Sequence, residues 1–142
     1  MEKKEFNKIT KEVFTEYGFC KEKNRYILYL DDVTIIVRFS SWRGVKSFNY
    51  YFFINALHSD SSDEGKYDVA AEFKMEHNPS SDGYPAHEIL YERWSAAKYR
   101  RLLTNMLHLY FDPYKEDALQ FLKESGRYMG LLSNAEKYLG IE

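Results

Sequence analysis

The sequence has a single cysteine, Cys20, so no internal disulfide can staple the chain. Beside Phe19, at the close of an expected helix, it reads as a half-buried thiol in a reducing compartment. No apolar run approaches the roughly 18 residues that span a bilayer, and Met1-Glu2-Lys3-Lys4-Glu5 lacks the apolar stretch of a secretion signal. A cytoplasmic location with no membrane partner is the resulting expectation. Charge of one sign is also missing: 20 Lys and Arg stand against 22 Asp and Glu, a formal net charge of -2 with a pI near 6.1. No overall positive field draws the chain to phosphate backbones, which disfavours a nucleic-acid partner.

Complete catalytic motifs are absent as well. There is no Gly-rich phosphate loop, no Gly-x-Ser-x-Gly elbow and no paired-cysteine site. His87-Glu88 begins like a zinc-protease signature, but the position of the second histidine is Tyr91, and one histidine cannot supply two ligands on a helix face. Asp60-Ser61-Ser62-Asp63-Glu64-Gly65 resembles the front of a calcium loop, yet Ala71 stands where the closing bidentate glutamate belongs. Cys20 has no local histidine partner, and free cysteine is most often a small buried hydrophobe. The sequence therefore assigns no catalytic residue, no metal ligand and no cofactor, and an enzyme is disfavoured.

Aromatic residues are what the chain has in excess, at 18% with 13 Tyr and 10 Phe. A chain of 142 residues buries about 70% of the surface its unfolded form exposes, enough for one globular domain over residues 1–142. Phe6, Ile9, Val13, Phe14 and Tyr17 recur at helical spacing, and Gly18 follows as a left-handed stop. The period then changes. Tyr26, Leu28 and Leu30 alternate up to Asp31-Asp32, and Val33, Ile35, Val37 and Phe39 alternate after it, the signature of a hairpin. A two-residue primed turn, whose positive φ aspartate tolerates, sets Leu28 opposite Ile35 and Arg25 opposite Arg38. The second face, with Ile27 across from Ile36 and Tyr29 across from Thr34, is mixed and either partly wet or covered.

Ser40-Ser41-Trp42-Arg43-Gly44 breaks the alternation, and an aromatic central strand over 48–57 follows a turn there. A fourth strand begins at Val69 and runs through Phe73 to Met75, and residues 87–94 read as a short edge strand or an extended lead-in. Ser95 caps a helix whose apolar face is Tyr99, Leu102, Leu103, Met106 and Tyr110. Asp112-Pro113 either starts a new helix or kinks the old one. A capping box at Ser133-Asn134-Ala135-Glu136 opens a last short helix. The fold class is α+β: an N-terminal helix, an antiparallel sheet of about four to five strands, and C-terminal helices on one sheet face. The expected core joins Tyr26, Leu28, Val33, Ile35, Val37, Phe52, Val69 and Phe73 to Phe6, Ile9, Val13, Leu103 and Met106.

The helix closed by Tyr17-Gly18-Phe19, the segment Ser40-Ser41-Trp42-Arg43-Gly44 and the strand ending Phe53-Ile54-Asn55 together resemble a bacterial family of small intracellular proteins catalogued only as a domain of unknown function. The resemblance covers nearly the whole chain, departs around residues 84–92, and implies a fold more than an activity. Some members sit beside secreted-toxin systems, which implies an immunity-type role, the neutralising of a toxin. With no catalytic motif and with Tyr and Trp in excess, a non-enzymatic protein-binding module is the first reading. The alternative is a small-ligand or enzymatic pocket between sheet and helices.

Expected contact residues are Arg38, Ser40, Ser41, Trp42 and Arg43, placed where a strand ends in a turn. Trp94 and Arg101 form a second candidate, in the basic stretch with Lys98 and Arg100. There Trp94 would offer a stacking platform to an acidic or single-stranded partner. The bland readings are a solvated helix entry for the basic stretch and a core-capping role for Trp42.

Overall fold

A computed structural model describes residues 1–42, 45–55, 69–72, 88–125 and 130–131. Helix α1 spans Lys3–Tyr17 and buries Phe6, Ile9, Thr10, Val13 and Phe14 along one stripe. Its end is built by Gly18, whose φ of 124° a side chain would resist. The Gly18 N–H donates to the Thr15 carbonyl at 3.1 Å and the Phe19 N–H to the Phe14 carbonyl at 3.0 Å. Phe19 then meets Phe14 edge to face at 5.2 Å, which completes a Schellman stop.

The chain enters the sheet at once. β1 (Cys20–Glu22) pairs with β2 (Arg25–Tyr29), which pairs with β3 (Val33–Trp42), which pairs with β4 (Val45–Ile54), all antiparallel. The far edge of β4 is shared: β5 (Val69–Glu72) lies along residues 49–52 and β6 (Glu88–Leu90) along residues 45–47, and β7 (Gly130–Leu131) pairs with β5. The expected four to five strands is not the count that forms. Three strands of five or more residues, β2 to β4, make the body, and the others have two to four residues each. Cys20 accordingly lies in a strand and is exposed, not half-buried at a helix end.

The β2–β3 register is the expected one, with Leu28 opposite Ile35, Ile27 opposite Ile36 and Arg25 opposite Arg38. The turn differs. Lys23 is the one non-glycine residue with positive φ among the described residues, so Asp31-Asp32 is not a primed turn. Asn55 holds it instead: its amide donates to the carbonyls of Leu30 at 3.0 Å and Asp31 at 3.1 Å, and its backbone N–H donates to Asp32 at 2.9 Å. Thr34 donates its hydroxyl proton to the Asn55 Oδ1 at 2.9 Å and fixes that side chain's orientation.

β3 does not break at Ser40. It runs to Trp42 with Ser40 opposite Ser47, Ser41 opposite Lys46 and Trp42 opposite Val45, and β4 begins at Val45 instead of residue 48. Ladder pairing overrides the weak strand preference of the serines.

After β6 a single 3-10 turn (Tyr91–Arg93) leads to α2 (Ala96–Ser125), with the Ser95 hydroxyl accepting the Lys98 N–H at 3.3 Å. Pro113 lies inside this helix, and the break falls later, at Asp117 (φ -150°, ψ 92°). The Asp117 carboxylate accepts the Gln120 N–H at 3.1 Å, so aspartate caps the resumed helix.

The core lies between α1, α2 and one sheet face. Tyr26, Leu28, Val33, Ile35 and Val37 meet Phe6, Ile9, Val13, Leu103 and Met106 there, joined by Leu107, Phe111 and Tyr114. The side chains of Phe52 and Val69, and residues 73, 75 and 133–140, lie outside the described residues. Ile27 and Ile36 are buried on the opposite face, so both faces are covered at the sheet centre.

Leu28→Ala or Ile35→Ala, each emptying a packed site, should cost about 2 to 5 kcal/mol in denaturant unfolding. Asn55→Ala, which strips donors from the hairpin carbonyls without touching the core, should cost about 1 kcal/mol or more.

Candidate functional site

The sequence-predicted contact residues separate into different parts of the molecule. Arg38 is exposed on the sheet face opposite the helices, where its guanidinium carbon stands 5.6 Å from the centroid of the Tyr51 ring. Register explains the contact: Ile36 faces Tyr51 directly across β3 and β4, and Arg38 is one pleat further along, on the diagonal. A guanidinium over an aromatic face is held by the ring quadrupole, so the arginine is pre-positioned. Tyr29, opposite Thr34, is 62% exposed on the same face. Tyr51 and Phe53, opposite Ile36 and Thr34, are half-buried on the same face.

Ser40, Ser41 and Trp42 belong to β3 by backbone, their side chains lie outside the described residues, and Arg43 does too. Trp94 requires correction. It is 2% exposed, edge to face with Tyr99 at 6.0 Å, and presents no open face for stacking. The reason is its place in the bend between β6 and α2, where the large ring fills the junction of sheet and helix. Arg101 is exposed on α2, on the helix layer, and so is not brought together with Arg38.

A polar cluster that the sequence did not reveal joins α1 to α2. The Tyr17 hydroxyl donates to the Asp112 Oδ1 at 2.6 Å, and the His108 Nδ1 lies 2.9 Å from the Asp112 Oδ2. The Lys115 ammonium sits 3.8 Å from the Tyr17 ring centroid and donates to the Tyr17 carbonyl at 3.4 Å, at the negative end of α1. The spacing is helical: 108, 112 and 115 project from one side of α2. Hydrogen bonding from Tyr17, followed by His108, holds the Asp112 carboxyl below the usual carboxylate range. Burial, reinforced by Asp112, pushes the Tyr17 hydroxyl well above its ordinary value.

An aspartate orienting a histidine is a component of nucleophilic catalysis, but the remaining parts are not here. The hydrogen bonds of His108 both go to Asp112, with no hydroxyl or thiol nucleophile among its described partners. The cluster is a clasp between helices. A second tie, the ion pair of Arg100 with Glu12, joins the same two elements, and the Arg100 hydrogen bond lowers the Glu12 carboxyl.

No group of His, Cys, Asp and Glu among the described residues is arranged to hold a metal ion. No described helix is long and apolar enough to cross a membrane. No protein-family model matches the chain, and neither a curated protein nor a solved structure does.

The clasp predicts a pH dependence. Asp112 has a depressed folded value, so its contribution is present above the unfolded carboxylate range near about 4 and is lost as pH falls through the folded value. Tyr17 has a raised value, so its contribution is present below about 10 and is lost as pH rises beyond it. Tyr17→Phe should lower stability by no more than about 1 kcal/mol at neutral pH. The gap between parent and variant, read by denaturant melts across pH, should narrow at both the acid and the alkaline end.

Proposed function

We propose that the protein is a non-enzymatic module that binds another protein through the sheet face opposite its helices. The observation that carries this reading is the exposed pair of Tyr29 and Arg38, the latter pre-positioned on Tyr51. Tyrosine and arginine dominate interface hot spots because they bring large contact area, directional hydrogen bonds and little entropy to lose. Here the two flank the buried Ile27 and Ile36 on a strand scaffold. Rigid elements place contact groups more accurately than loops do.

Two further points support the reading. The polar clusters between the helices hold the fold, whereas Tyr29 and Arg38 stand exposed on the opposite face. The partner class is the one that the family resemblance implies: a toxin, neutralised in the cytoplasm of the cell that carries this protein.

A photo-reactive phenylalanine analogue placed at Tyr29 should give one discrete cross-linked species in native host cells, and the same group at Glu116 on α2 should give none. Arg38→Ala should then weaken the identified complex by about 2 kcal/mol with the fold intact. The same products from both positions, or none from position 29, would end the proposal.

A further inference from the structure

Along the β2–β3 hairpin, the face that carries Tyr29 and Arg38 is ordered in rows that follow from the register. Arg25 and Arg38 stand opposite each other at one end, then Ile27 and Ile36, then Tyr29 and Thr34, and the turn residues Asp31 and Asp32 close the other end. β4 extends the two middle rows, with Tyr51 opposite Ile36 and Phe53 opposite Thr34. One end of the hairpin is therefore basic and the other acidic, and the middle is mostly apolar and aromatic. The cleft of about 320 Å³ that opens between α1 and the β1–β2 hairpin, lined by Asn7, Lys21 and Phe39 among others, is on the helix side of the sheet and takes no part in this pattern.

The charges at the two ends lack internal counterparts. Asp31 and Asp32 are exposed, and neither carboxylate has an ion pair among the described residues. Arg38 is exposed too and makes no ion pair among them, its contact being the Tyr51 ring. Arg25, directly across from it, is held by Glu22 at 3.4 Å. Like charges opposite each other on neighbouring strands repel, so the Arg38 end gains from a carboxylate brought from outside.

We propose that this face packs against the same face of a second copy of the chain, about a twofold axis running across the strands at the level of the Leu28 and Ile35 pair. Symmetry then fixes the contacts. Rotation about that axis reverses the strand direction, which sets Arg38 of each copy over Asp32 of the other, Ile36 over Thr34, Tyr29 over Ile27 and Tyr51 over Phe53. Facing sheets pack about 10 Å apart, a gap that a long arginine and a short aspartate close between them. An axis along the strands would set arginine over arginine, and charge rejects it. The contact has an apolar centre and a charged rim, the anatomy of a protein interface. Rows that complement themselves when reversed are what a second copy needs and what contact with an unrelated protein does not require.

This inference rests on the reading of the face as a contact surface and adds its regulation: a second copy covers the face until another partner displaces it. Three strands offer a small interface, and small interfaces are the weak, exchanging ones.

Sedimentation velocity of the full chain, from about 10 μM to about 1 mM, is the test. The mass should rise from one chain of 17.0 kDa toward two, with a dissociation constant of about 100 μM or tighter. Arg38→Asp and Asp32→Arg should each weaken the association at least about tenfold by setting like charges opposite, with the melting temperature reporting an intact fold. Mixing the two variants should restore it to within about threefold of the parent, because in the mixed dimer each position 38 again meets an opposite charge at position 32. A chain that stays monomeric to about 1 mM, variants that associate as well as the parent, or a mixture no tighter than the variants alone would each overturn the proposal. Cross-linking at position 29 keeps the two readings apart: a product of twice the chain mass belongs to the self-contact, and one of another mass to a different protein. A monomeric chain that still gives the second product would sink the self-contact and keep the binding reading.

Discussion

The turn at Gly18 is the constraint on which the arrangement depends. With φ at 124°, the chain leaves α1 and doubles back, so that Phe19 lies against Phe14 and Phe111 while the next three residues become the edge strand β1. That single reversal sets α1 over the sheet at a fixed angle. It presents Tyr17 to Asp112 on α2, and it draws the β1–β2 hairpin alongside the first half of α1, which opens the cleft. A Cβ at position 18 would meet Leu28 at 3.6 Å, an ordinary contact, so the need for glycine there is one of backbone conformation and not of space.

The sheet divides the molecule by chemistry. On the helix side, aromatic rings pack in series, from Tyr26 through Phe14 to Phe19 and Phe111, with centroid separations of 4.6, 5.2 and 5.4 Å. Such a chain gives a stiff core that fixes the cleft walls and the two helices together. On the opposite side, the buried Ile27 and Ile36 lie between the exposed Tyr29 and Arg38.

Where a residue's role follows from local period, the sequence was readable. The stripe of α1, its glycine stop and the Leu28–Ile35 register all follow from spacing alone, because a slip of one residue would turn every apolar side chain to the wrong face. Where a role comes from a distant partner, it was not. Serines at 40 and 41 read as a break because their strand preference is weak, but β4 offers them a ladder. Trp94 among basic residues read as a surface ring, and only the sheet-to-helix bend shows why it is buried. Pro113 drew attention to the wrong position, since the dihedral break falls at Asp117, whose capping role a proline nearby obscured. The cleft was invisible for the same reason: Asn7, Lys21 and Phe39 share no motif, and only the fold assembles them.

The contact of Asn55 with the hairpin at residues 31–32 bears on how the sheet assembles. A two-residue hairpin with a primed turn carries its own stop and can close before anything else has formed. This one borrows its stop from the end of β4, 24 positions away in sequence for the bond to the Asp31 carbonyl. Until that strand docks, the loop carbonyls of Leu30, Asp31 and Asp32 keep only solvent as partner for those bonds, and an isolated pair of strands is marginal in water. β2, β3 and β4 therefore gain their stability together, as one cooperative unit of local unfolding instead of a hairpin with a strand added later.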